Sequence, residues 1–204
     1  MLPVYIVCGD LMGKPIFIAF TGPASAGKTT LVEHLAKILG VNYKVYVASE
    51  IIRDLLKEWN TTLDELLKDP DLFYKFQVEG LTRHIETESR LLNSDYDIVL
   101  LDRSVHDYFI YTALGLQPSL YNEYRMQFKD VPNNYNLLIY CEHIDFTDDG
   151  VRSKEYINRG ELGLFQTLVK PYTSYILDNK PHWQRIRRVL GWLEGCLNET
   201  SESR

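Results

Sequence analysis

The sequence predicts an α/β fold: one three-layer domain in which helices cover both faces of a five-stranded parallel sheet. Three observations predict it. Short apolar runs alternate with helical patterns along the chain, and strands separated by helices pair in parallel through right-handed crossovers. The run Ile16-Phe17-Ile18-Ala19-Phe20 is apolar without alternation, as a strand buried on both faces requires. No Pro/Gly/Ser-rich linker, repeat or low-complexity tract divides the 204 residues, a length that fits one domain. The domain is expected to span 1–197, with 198–204 as a polar, disordered tail.

In chain order, Val4 to Val7 reads as a hairpin or edge strand beside the first long strand, because Gly9-Asp10 and Met12-Gly13 supply turn residues. Ile16 to Phe20 is that strand. Thr29 to Leu39 places Leu31, Leu35 and Ile38 near one helical face, with Gly40 at its end. Tyr43 to Ala48 is the second strand. Thr62-Leu-Asp-Glu65 is a capping box that opens a short helix, and Asp69-Pro70 caps and opens a longer one reaching about Asn93. On that helix Phe73, Phe76, Leu81, Ile85 and Leu92 form a core stripe that also holds Gln77, with Gly80 one turn on. A polar side chain beside a space-making glycine on an inward face predicts a pocket wall. Ile98 to Leu101 is the third strand, Leu137 to Tyr140 the fourth, an amphipathic helix follows near Leu162 to Leu177, and Arg185 to Leu190 is the fifth strand.

Composition narrows the class. The apolar share is 45% and the charged share 25%, ordinary for a globular domain. No apolar run approaches a membrane span, and Leu2 to Cys8, with no basic residue before it and with Pro3 inside it, makes a poor secretory signal, so the expected location is the cytoplasm. The three cysteines have no CxxC spacing and the five histidines no HExxH pair, which argues against disulfide and zinc frameworks. A net charge of −6 disfavours broad binding to nucleic acid without excluding a local basic site.

Gly22-Pro-Ala-Ser-Ala-Gly27-Lys28-Thr29 is a complete GxxxxGK[ST] between a buried strand and a helix. Its glycines let the backbone curl so that successive N–H groups face phosphate oxygens, and the positive end of the following helix adds to that field. Gly22, Ser25, Ala26, Gly27, Lys28, Thr29 and Thr30 are therefore the candidate ATP-binding residues, with Lys28 on the β- and γ-phosphates and the Thr29 hydroxyl on Mg²⁺. Several nucleotide-binding classes do not fit. Asn179-Lys180-Pro181-His182 lacks the aspartate of a GTPase base reader and follows no apolar strand, no LSGGQ-like signature of an ABC ATPase is present, and no residues are left for the helical lid domain of an AAA+ motor.

The loop written GxxSxGKTT, the Glu50-x-x-Arg53 after strand two, the apolar strand ending Asp102-Arg103-Ser104 and the late Asp149-Gly150-Val151-Arg152 together resemble the P-loop kinases related to the ribosylnicotinamide kinase domain of NAD salvage. The Phe76-Gln77 of the long helix and the Asp-Arg-Ser also resemble deoxynucleoside and thymidylate kinases. This resemblance implies a P-loop kinase fold with strand order 2-3-1-4-5. It implies Glu50 as the carboxylate at the acceptor hydroxyl, Asp102 as the acidic partner of Mg²⁺ and Arg53 and Arg103 on the acceptor. It also implies that Gln77 reads a base edge, a task suited to an amide's adjacent donor and acceptor. Asp107, Tyr108 and Tyr111 are candidates for the same pocket, with Ser104 capping the next helix. The basic segment holding Arg152, Lys154 and Arg159 resembles the lid of these kinases, about 146–160, whose arginines stabilise charge on the transferring phosphoryl group.

The function so implied is Mg²⁺-dependent phosphoryl transfer from ATP to a hydroxyl or phosphate of a nucleoside- or nucleotide-like small molecule, with Lys28, Glu50, Asp102 and Arg152 as catalytic residues. A homodimer is left open. Two alternatives remain: a kinase acting on a modified base or end of a polynucleotide, using the local cluster Lys180, Arg185, Arg187 and Arg188, or a nucleotide-binding switch that transfers phosphate only to water.

Overall fold

The computed structural model describes residues 14–48, 51–131, 134–144 and 160–202. Five strands, β1 (Ile16–Thr21), β2 (Val45–Ala48), β3 (Ile98–Asp102), β4 (Leu137–Cys141) and β5 (Tyr175–Leu177), form one sheet in the order β2-β3-β1-β4-β5. All neighbours are parallel, as the alternation of elements requires. The central strands are buried along their whole length, which is why they read as unbroken apolar runs.

The period-two pleat divides β1 between two cores. Ile16, Ile18 and Phe20 face a cluster with Leu31, Val32 and Leu35 of α1 (Lys28–Leu39) and with Val189 and Leu193 of the C-terminal helix. Phe17 and Ala19 face the opposite layer, which contains α4 (Pro70–Leu91) and α5 (Val105–Gly115). Between β2 and α4 lie α2 (Ile51–Glu58) and α3 (Leu63–Leu66), and α6 (Pro118–Gln127) follows α5. The Thr62–Glu65 capping box forms, and the Asp69 carboxylate accepts from the N–H groups of Asp71 and Leu72, so both predicted helix starts hold. Each such cap contributes about 1 kcal/mol.

Three expectations meet a different structure. Arg185–Leu190 is not a strand but part of α8 (His182–Glu202), where Arg185, Val189 and Leu193 recur four apart on the inward face. The fifth strand is Tyr175–Leu177, cut from the end of the predicted Leu162–Leu177 helix. That helix is shorter, with α7 (Glu161–Leu164) running into a π turn, Phe165–Val169, and a 3₁₀ turn, Lys170–Tyr172. Third, α8 continues through Glu202, so the backbone of 198–202 is helical rather than a loose tail. The predicted Val4–Val7 hairpin and the lid segment 146–159 lie outside the described residues. Among the described residues no helix is long and apolar enough to cross a membrane.

The candidate active site

The phosphate loop leaves the carboxyl end of β1 and enters α1. Gly22 has φ +134°, and a Cβ there would run into the Cys141 carbonyl oxygen of β4, so the loop passes that strand only as glycine. Lys28 folds back under the loop, donating from Nζ to the carbonyls of Gly22 at 2.8 Å and Pro23 at 2.7 Å. Burial, and then the nearby Arg103 guanidinium, hold its pKa below the usual lysine value. The Thr29 hydroxyl donates to Asp102 Oδ2 at 2.5 Å, joining the first turn of α1 to the end of β3. A hydroxyl and a carboxylate on one spot are the hard oxygen donors that Mg²⁺ takes, usually one or two per site beside substrate phosphates.

The facing wall comes from α2, α4, α5 and α7. Arg103 sits between Asp102 and the α5 cap with φ +129°, a conformation that non-glycine residues rarely adopt and that clusters at functional sites. Its Nη1 donates to the Tyr111 hydroxyl at 2.9 Å and approaches Asp107 Oδ1 at 3.4 Å, while its guanidinium lies over the Tyr111 ring at 4.8 Å. The Tyr111 hydroxyl in turn donates to Glu161 Oε1 at 2.7 Å, and the same oxygen accepts from the Ala24 N–H of the phosphate loop at 2.8 Å. Gln77 is only 2% exposed, and among the described residues its side chain has one long hydrogen bond, from Thr112 Oγ1 at 3.4 Å. Thr112 spends its proton mainly on the Tyr108 carbonyl at 2.6 Å, so the glutamine amide is held loosely. Gly80 brings α4 against Tyr108 and Ile52, each of which would lie 3.0 Å from an added Cβ.

These groups line a cleft that is open to solvent. Ser25, Ala26, Gly27, Lys28, Thr29 and Thr30 of the phosphate loop and α1 line it, with Asp102 beside Thr29, and Arg53, Gln77, Arg103, Asp107 and Tyr108 line it too. Gly22 lies under the loop rather than on the cleft. Glu50, Arg152, Lys154 and Arg159 lie outside the described residues. Asp107 is placed differently from a free substrate ligand: its Oδ2 accepts from the Thr21 hydroxyl at 2.7 Å and from the Ser104 hydroxyl and N–H at 2.7 and 3.0 Å. Sequence reasoning missed Glu161, although a glutamate directly after a glycine at the start of an amphipathic run was a visible signal.

Behind this wall Tyr135 donates to Glu88 Oε1 at 2.6 Å and accepts from the Val105 N–H at 2.8 Å, fixing the start of α5 from the rear. The basic cluster considered for a polynucleotide is not one face. Arg185 is buried beneath the phosphate loop, and Arg188 pairs with Asp178 at 2.6 Å.

A model of the AAA domain family matches residues 17–175. The chain belongs to that family. An AAA+ motor was set aside from the sequence for want of a helical lid domain, and the match places the phosphate-loop core under the AAA name all the same. No curated protein matches the sequence. Among solved structures, deoxyadenosine kinase from M. mycoides with products dCMP and dCDP bound is similar, at 17% identity over 88% of this chain and 100% of that one, with a TM-score of 0.67. The same enzyme with bound dATP gives 18% identity over 88% and 100%, and a TM-score of 0.66. NadR protein in complex with NR gives 22% identity and a TM-score of 0.61 over 82% of this chain but 47% of that one. This AAA-family chain therefore has the fold of the P-loop kinases that the Asp-Arg-Ser and phosphate-loop residues resemble.

Proposed function

We propose that the chain is a kinase that transfers the γ-phosphoryl group of ATP to a hydroxyl or phosphate of a nucleoside-like small molecule. The observation that carries the reading is the second half of the cleft. A phosphate loop alone serves switches and motors equally well, but here a buried, loosely held amide at Gln77 and the strained Arg103 face the loop across one pocket. An amide in a dry wall pairs with a base edge, and an arginine at the loop's mouth orients a hydroxyl or phosphate.

Lys28 would leave the Gly22 and Pro23 carbonyls for the β- and γ-phosphate oxygens, where the charge that burial disfavours finds its partner. Thr29 and Asp102 would hold Mg²⁺, which when bound neutralises charge on the phosphates. Glu50, directly before α2, is proposed to accept or orient the acceptor's proton, and Arg152, Lys154 and Arg159 to stabilise the transferring group. Arg53, Tyr108 and the Tyr111–Glu161 pair would take the remaining polar groups of the acceptor. The M. mycoides enzyme and NadR, whose structures hold deoxynucleotides and NR, support a nucleoside-like acceptor.

The test is ADP release with ATP and Mg²⁺ across nucleosides, nucleoside monophosphates, ribosylnicotinamide and short single- and double-stranded DNA. Stimulation by one class of small acceptor, abolished in a folded Lys28→Ala protein and reduced roughly tenfold to a hundredfold in kcat/KM by Gln77→Ala, supports the proposal. Hydrolysis that no acceptor stimulates marks a switch, and salt-sensitive stimulation by DNA marks a polynucleotide kinase.

A further inference from the structure

We infer that His143 and Arg185 are positioning residues of the phosphate loop, two side chains outside its motif that turn its N–H groups toward the phosphates. The inference rests on the nucleotide-binding reading above. It starts from three consecutive carbonyls. The Ala24 carbonyl accepts from His143 Nδ1 at 3.1 Å, the Ser25 carbonyl from the Ile144 N–H at 3.3 Å, and the Ala26 carbonyl from Arg185 Nη1 at 2.8 Å. In a trans peptide the C=O and the following N–H point in opposite directions, and no cis bond occurs among the described residues. Carbonyls drawn toward the end of β4 and the start of α8 therefore send the N–H groups of Ser25, Ala26 and Gly27 the other way. That is the side on which these residues line the cleft. Ser25 at φ 59° and Gly27 at φ 69°, flanking Ala26, give the alternation of left-handed residues that forms an anion-binding concavity.

Packing alone does not account for either side chain. Arg185 is 1% exposed, and its Nε and Nη2 have no hydrogen-bond partner among the described residues. A buried cation with idle donors is costly, and the aliphatic part of the contact could be supplied by methionine without that cost. Gly27 makes room for it, since a Cβ there would lie 3.1 Å from Arg185 Nη1. A carbonyl only accepts, so His143 must carry its proton on Nδ1 to hold Ala24. The motif itself supplies glycines that permit the curl. His143, Ile144 and Arg185 select which way each peptide faces.

The test measures binding of inorganic tripolyphosphate, and separately of ATP with Mg²⁺, to the full chain carrying His143→Ala, His143→Asn, His143→Gln, Arg185→Met or Arg185→Lys. Asparagine places an amide nitrogen near the Nδ1 position and glutamine near Nε2, so only the first can hold Ala24. The alanine, glutamine and methionine variants should each weaken both probes roughly tenfold, and asparagine and lysine should recover most of that loss. In ADP release the ATP KM should rise while kcat at saturating ATP stays within about twofold. A lower melting temperature with unchanged tripolyphosphate binding would reduce both residues to packing and overturn the inference. So would weaker ATP binding with unchanged tripolyphosphate binding, which places them on the base or ribose instead. If the truncations fail to fold, equal affinities of the asparagine and glutamine variants overturn it. A wild-type chain that binds neither probe removes the nucleotide reading itself, an outcome distinct from any difference among variants.

Discussion

Changing Tyr111 to phenylalanine separates hydrogen bonding from packing at the centre of the cleft. The hydroxyl accepts from Arg103 Nη1 at 2.9 Å and donates to Glu161 Oε1 at 2.7 Å, so one oxygen links the strained arginine to the carboxylate that holds Ala24. The ring stays useful without it. Phenylalanine keeps the edge contact with Phe165, 5.7 Å between centroids, and the face beneath the Arg103 guanidinium. What is lost is two hydrogen bonds to charged groups, each worth about 1.5–3 kcal/mol, less whatever water from the cleft restores, which leaves a net cost of about 1–3 kcal/mol. Burial raises the Tyr111 pKa well above its usual value, so the hydroxyl remains a donor throughout the working pH range. Urea unfolding should show the stability loss, and ADP release should show acceptor kcat/KM down roughly tenfold with ATP affinity changed less than about threefold. A folded Tyr111→Phe protein with an unchanged urea midpoint and unchanged acceptor kcat/KM would refute the linkage.

Asp102→Asn should raise the Mg²⁺ concentration needed for half-maximal ADP release, because the amide supplies one weaker oxygen beside Thr29; an unaltered magnesium titration would dissociate Asp102 from the metal. Gly80→Ala should destabilise by about 1–3 kcal/mol, since a Cβ 3.0 Å from both Ile52 and Tyr108 overpacks the wall, outweighing a helix-propensity gain of about 1 kcal/mol; a stabilised variant in urea would show that the wall yields. His106 has a buried Nε2 with no hydrogen-bond partner among the described residues, and burial lowers its pKa from the usual 6.5. The unfolded chain therefore takes up a proton first, so stability should fall as pH drops below about 6.5 until the folded pKa is reached, and be independent of this group above it. Urea midpoints across that window should slope in wild type and flatten in His106→Phe, and identical slopes would assign the effect elsewhere.

What the sequence revealed follows the range of the interactions that fix each part. The phosphate loop is local: its glycines, lysine and threonine carry their geometry within eight residues, between a strand and a helix that punctuate it. The central strands are legible because burial on both faces leaves no place for a polar residue. β5 is not, because it has three residues at the sheet edge and Ile176 is 42% exposed, so no pattern separates it from the turns before it. Arg185 to Leu190 shows the opposite failure. Ile and Val spaced among arginines imitate a strand's alternation, while the true repeat of four begins with an arginine whose burial no hydropathy pattern announces.

The wall facing the phosphate loop is assembled from several helices, and its residues were legible only as types in order, not in their duties. Asp107 makes the point. Its carboxylate was expected on the substrate, yet Oδ2 ties the Thr21 hydroxyl, the last residue before the phosphate loop, to Ser104, the cap of α5. Oδ1 alone faces Arg103, at 3.4 Å. One buried carboxylate thus sets the separation of the loop from the arginine opposite it, and for the transfer proposed above a misplacement of about 1 Å would be costly. A charge placed there has its hydrogen bonds satisfied from two elements, which is the condition under which a buried carboxylate fixes geometry instead of costing stability.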